Sequence, residues 1–139
     1  MAQRNLDQPN TAAGDMTGGT EWLVDAFGCD PVRLSSAAPL LELSATIIAT
    51  LGLQVVGLPV VHRFGEPAGV TGLYLLSESH LAWHTYPESS LCTLNLYCCR
   101  ARPELDWSAL LGAALGAQQV RVAAVLRGLG SSPAAGSGP

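Results

Sequence analysis

Leu91-Cys92-Thr93-Leu94-Asn95-Leu96-Tyr97-Cys98-Cys99-Arg100 is a run in which apolar side chains recur at every second position. Side chains alternate across a strand. Cys92, Leu94, Leu96 and Cys98 therefore share one face, and Leu91, Thr93, Asn95, Tyr97 and Cys99 share the other. The first set is uniformly apolar and suits packing under helices. The second is mixed and suits a site or an interface. By this reading Cys98 is a core thiol and Cys99 is the chemically available one. The same parity puts His80, Ala82 and His84 on one face, opposite Leu81 and Trp83, and sets His84 near Cys99.

Outward from this strand the chain resolves into a short series of elements. Glu21 to Phe27 reads as a strand closed by Gly28. Asp30-Pro31 is a helix start, with a capping side chain and proline in the first turn. Ala37 to Leu51 carries Leu40, Leu43, Ile47 and Leu51 at helical spacing, and Gly52 caps it. Leu53 to Arg63 is expected as a strand bent around Gly57-Leu58-Pro59, with a loop at Phe64 to Pro67. Val70 to Ser77 and His80 to His84 are two strands flanking the Glu78-Ser79 bond. Pro103 is expected to open a helix through about Gly116, with Leu105, Leu110 and Leu111 toward the core, and Gln119 to Leu126 to form a final strand. The order predicts an α+β two-layer sandwich, a mainly antiparallel sheet with helices on one face. A second protomer is the simplest cover for the other face.

Composition narrows the class. The 139 residues fit one domain able to bury a core without disulfides or metal. Residues 1–19, polar and without apolar period, read as a disordered leader, 20–128 as the folded domain, and 129–139 as a flexible tail. Charged residues make up 13 %, about half the usual ~25 %, which again points to a surface covered by a partner. The net charge is −4 and the arginines are scattered, so no nucleic-acid partner is expected. No apolar run reaches the ~18–20 residues of a membrane span, and no signal-peptide layout is present. A cytoplasmic protein with four free thiols is the expectation.

Leu76-Ser77-Glu78-Ser79-His80-Leu81-Ala82-Trp83-His84-Thr85-Tyr86-Pro87-Glu88 places two histidines, two glutamates and serines inside an apolar region. With Cys99 twenty residues beyond Ser79, this pattern resembles the prokaryotic S-adenosylmethionine decarboxylase family, through most of the folded region and most specifically from Thr71 to Cys99. Weaker similarity lies in Leu23 to Pro31. The resemblance implies a proenzyme that cleaves itself between Glu78 and Ser79, leaving a covalent pyruvoyl cofactor at Ser79. That group condenses with a substrate α-amine and accepts the electrons left by CO2. His84 matches the processing base, Cys99 the proton donor to the product carbon, and Thr71 a residue that assists processing. Glu88 matches an acidic contact to the substrate, Tyr86 stands for a common tryptophan that stacks on adenine, and Phe64 lies near a second aromatic. The implied product, decarboxylated S-adenosylmethionine, is the aminopropyl donor of spermidine synthesis, and the implied assembly is a homodimer.

Three departures bear on the substrate. Asn95 stands where Asp is expected, Tyr86 replaces Trp, and Ala82 replaces a usual Ser or Thr. Two other readings therefore stay open: an ornithine or arginine decarboxylase of the same pyruvoyl type, and a non-catalytic binding subunit, against which the joint presence of Ser79, His84 and Cys99 argues. His80, His84 and a cysteine have the residue types for zinc but no paired-ligand spacing, so no metal is expected.

Overall fold

The structure, a computed structural model, describes residues 18–128. The expected leader and tail fall outside those residues, except for Gly18 and for Gly19, which already belongs to the first strand. Six strands form one sheet: β1 (Gly19–Phe27), β2 (Val60–Arg63), β3 (Val70–Leu76), β4 (Ser79–Tyr86), β5 (Leu91–Cys98) and β6 (Gln119–Arg127). Three helices accompany them: α1 (Pro31–Leu34), α2 (Ala37–Leu51) and α3 (Trp107–Leu115). The strand order is β2-β3-β4-β5-β1-β6, and every neighbouring pair is antiparallel. The expected α+β sandwich is the observed architecture.

One face of the sheet is covered and the other is open. Val24, Ala26, Val70, Tyr74, Leu81, Trp83, Cys92, Leu94, Leu96 and Cys98 join Leu40, Leu43, Ile47, Leu51, Leu111 and Leu115 in a single core. The alternation expected for Leu91 to Cys98 holds at each position, since its even-numbered residues are buried and its odd-numbered ones half-buried. Trp83 is the largest fully buried side chain in this core. Its indole N–H donates to Ser44 Oγ at 2.8 Å, and the Ser44 hydroxyl donates on to Leu40 O at 2.7 Å, so the buried polar atoms are satisfied. Gly72 faces the ring across β3, where a Cβ would come within 2.3 Å of it. Thr85, also buried, donates to Leu34 O at 2.7 Å and accepts from Val70 N at 2.9 Å, tying β4 to α1 and β3.

The local signals mostly act as read. Asp30 caps α1, with Val32 N donating to its side chain, and Gly52 closes α2 at φ 69°, a left-handed conformation that favours glycine. Two expectations need correction. Leu53 to Arg63 is not one bent strand. Only Val60–Arg63 pairs as a strand, and before it Val55 alone bridges to Leu76, because Gly57 at φ 75° and Pro59 interrupt the ladder. The second long helix does not start at Pro103 but at Trp107, where the Asp106 carboxylate accepts from Ala109 N at 3.0 Å. A capping carboxylate outcompetes a proline upstream because it satisfies an otherwise orphaned N–H.

Candidate active site

β3 and β4 form a hairpin in which Leu76 pairs with Ser79, so the loop is only Ser77-Glu78. Ser79 opens β4 and pairs on its other side with Cys98. Its Oγ is buried and makes no hydrogen bond of sound geometry, although it lies close enough to bear on the Cys98 thiol. Burial pushes that thiol up from its ordinary value, partly offset by the Arg102 charge and then by the Ser79 hydroxyl. Cys98 is therefore held as a neutral thiol beside the Ser79 hydroxyl. Cys99, the next residue, is exposed, whereas Cys29, Cys92 and Cys98 are buried. Glu78 projects from the turn into two arginines: Arg100 Nε lies 3.0 Å from Oε2 and Arg102 Nη2 lies 2.8 Å from Oε1.

The opposite end of β4 carries the second group of expected residues. His84 pairs with Thr71 across β3–β4, and the Thr71 hydroxyl is hydrogen-bonded to His84 Nδ1. Phe64 and Tyr86 approach the imidazole edge-on, with ring centroids 5.7 and 4.5 Å away. Phe64, Pro67, Gly69, His84, Thr85, Tyr86 and Glu88 line one cavity of about 220 Å³. Phe64, Tyr86 and Glu88, which the resemblance groups around one substrate, thus line the same cavity.

The two groups do not meet within one protomer. Ser79 and His84 are five residues apart on the same strand, a separation of roughly 17 Å, and they point to opposite faces. Cys99 follows the end of β5 that pairs with Ser79, while His84 pairs with Thr93. The expectation that shared parity brings His84 near Cys99 is thereby corrected: parity fixes the face, and register puts the two at opposite ends of it. Between them a polar row crosses the open face. Asn95 Nδ2 donates to Glu21 Oε2 at 3.2 Å and lies 3.5 Å from His80 Nε2, and Arg127 donates to Glu21 Oε1 at 2.9 Å. An aspartate at 95 would face Glu21 as a like charge, so the amide suits this chain's own neighbours. Among the described residues no group of three metal-ligating side chains converges.

Sequence reasoning missed Arg100 and Arg102. Their signal is the pairing register, which places the segment after Cys98 opposite Glu78. The spacing of arginines along the chain carries no trace of it.

Comparison with known proteins places this architecture. The crystal structure of the adenosylmethionine decarboxylase from Aquifex aeolicus superposes with a TM-score of 0.69 over 85 % of this chain and 97 % of that one, at 24 % identity. At that identity the likeness defines the fold class, a two-layer α+β sandwich on one antiparallel sheet. The family model described as S-adenosylmethionine decarboxylase matches residues 20–128. The chain belongs to the S-adenosylmethionine decarboxylase family. It is 38 % identical over 81 residues to the S-adenosylmethionine decarboxylase proenzyme of Parasynechococcus marenigrum, and 32 % identical over 113 residues to that of Thermococcus onnurineus, covering 80 % of this chain and 78 % of the relative. The matches to the proenzymes of Parasynechococcus marenigrum and Prochlorococcus marinus cover 58 % of this chain and span only 62 % and 63 % of those relatives' length.

Proposed function

We propose that this chain is a proenzyme that cuts itself between Glu78 and Ser79 and then decarboxylates S-adenosylmethionine. One observation carries the reading: in a chain of this family, the Ser79 hydroxyl is buried and unbonded at the end of a two-residue turn. A hydroxyl held by no oxygen or nitrogen partner, with only the Cys98 thiol beside it, can turn onto the preceding carbonyl. Attack by Oγ on the Glu78 carbonyl carbon forms an ester as the C–N bond breaks and the nitrogen takes up a proton. Loss of the Ser79 α-proton expels the Glu78 carboxylate from Cβ. The remaining enamine tautomerises to an imine, and one water replaces its nitrogen, released as ammonia. Ser79 is then a pyruvoyl group, held covalently at the start of β4. That group supplies a carbonyl sink for the electrons left behind by CO2.

The chain's own residues divide the remaining work. Thr71, hydrogen-bonded to His84, orients the imidazole as base for the α-proton. Phe64 and Tyr86 flank the adenine, and Glu88 meets the ribose or the amine. Cys99, exposed beside the Ser79 end, returns a proton to the product carbon, a step suited to an accessible thiol.

His84 cannot serve Ser79 of its own protomer from roughly 17 Å along the strand, so the reading requires a homodimer. The open face offers one. Leu23, Leu73, Leu75 and Val125 lie on it and are each more than 40 % exposed. Two such faces packed about a two-fold axis running across the strands set the His84 end of one protomer against the Ser79 end of its partner. The cavity agrees, since about 220 Å³ is below the ~300–1,000 Å³ of closed ligand sites and calls for a second wall. Denaturing mass spectrometry tests the cleavage: two chains divided at 78/79 are expected, and a lasting intact chain of 14.4 kDa contradicts it. Release of CO2 from S-adenosylmethionine, but not from ornithine or arginine, tests the substrate.

A further inference from the structure

We propose that Arg102, assisted by Arg100, is a positioning residue for the self-cleavage: it fixes Glu78, and through it the turn that carries the scissile bond. The inference rests on the cleavage reading above and names what holds the bond in place. Two-residue hairpin loops ordinarily use turns with a positive φ at one or both central residues. Ser77 and Glu78 have none, since the single non-glycine positive φ among the described residues is at Ser90. The loop is held from outside instead. On one side Ser77 N donates to Gln54 O at 2.8 Å, and Val56 N to Leu75 O at 2.8 Å. On the other side the Glu78 carboxylate is taken by the two arginines.

Arg102 is the stronger of the pair. Its side chain is 18 % exposed, against 43 % for Arg100, so solvent screens its bond to Glu78 less. It is also anchored, with Nη1 donating to Leu51 O at 3.0 Å, one of the carbonyls that the end of α2 leaves without a helical partner. A planar guanidinium can hold a helix carbonyl and a carboxylate at once in fixed geometry, which an ammonium point charge does not reproduce. The same guanidinium bears on Cys98, the residue paired with Ser79. Its Nε is buried without an acceptor. During cleavage the bond from Glu78 C to Ser79 N breaks and a bond to Ser79 Oγ forms. A tethered Glu78 keeps its carbonyl within reach of that hydroxyl. Once the ester is eliminated, Glu78 carries a second carboxylate beside the cation that already holds the first.

The test follows cleavage of the full chain from its synthesis by denaturing mass spectrometry, with thermal melting alongside. Arg102→Met is expected to slow cleavage about tenfold or more, as loss of a charge-assisted bond would, and Arg102→Lys to recover only part of the rate. Glu78→Gln, which keeps the shape of the side chain, is expected to slow cleavage to a similar degree. The double variant is expected to be no slower than the worse single one, because both remove one interaction. A role confined to the Leu51 carbonyl predicts otherwise: Glu78→Gln at the wild-type rate, which overturns the proposal, as do fully additive effects. A folded wild-type chain that never cleaves removes the cleavage reading and the proposal with it, whereas wild-type cleavage with unaffected variants removes the proposal alone.

Discussion

The two ends of β4 differ in kind. At its start, Ser79 faces the covered side of the sheet, beside a buried thiol and a turn gripped by two arginines. At its far end, His84 faces the open side among Thr71, Phe64 and Tyr86, over a cavity open to solvent. The first end is closed and tightly tethered, which suits the proposed scissile bond. The second is accessible, which suits the proposed substrate site. One strand carries both sets, with enough length between them that neither completes the other in a single protomer.

The sharpest way to break this comparison is to remove one end at a time. Ser79→Ala should abolish cleavage altogether, leaving one chain in the mass spectrum with the fold intact. Next in size, Cys99→Ala should leave cleavage at the wild-type level and lower CO2 release by about 10²-fold or more, the scale of a lost proton donor; unchanged release would free Cys99 of that role. Tyr86→Leu should act on the far end alone, raising KM about tenfold or more through lost stacking, with cleavage unaffected. A cleavage defect in Tyr86→Leu would mean that this ring also holds His84, the proposed processing base, in place.

The thiols offer smaller tests. Maleimide should label Cys99 first and Cys98 only on unfolding, read by peptide mass mapping. Burial raises Cys29, Cys92 and Cys98 above 9.0. Their contribution to stability is therefore complete below that pH and is lost as pH climbs from there toward the raised folded values, since the unfolded state ionises first. The melting temperature should fall as pH rises from about 9 toward 10.5, and less steeply in Cys92→Ala.

Much of the fold was legible because the signals are local. Alternation from Leu91 to Cys98 gave a strand and its buried face, and Asp30 and Gly52 are recognisable caps. The Pro103 expectation failed because proline permits a helix start without compelling one, and the Asp106 cap was decisive. The candidate serine, histidine and cysteine were legible as a pattern, through the family resemblance. Their distribution between two ends was not, because parity depends on one residue at a time and register depends on which strand lies beside which. Arg102 was invisible for the same reason: its partners, Leu51 and Glu78, are 51 and 24 residues away in the chain.

The claim that the ends complete each other across two protomers is tested most directly by co-producing Ser79→Ala and His84→Ala chains, distinguishable by mass. Each variant alone should remain uncut. Together, the His84→Ala chain should be cleaved at 78/79, because it keeps its own Ser79 and borrows the partner's His84. Cleavage of His84→Ala alone, or of neither chain in the mixture, would contradict the account.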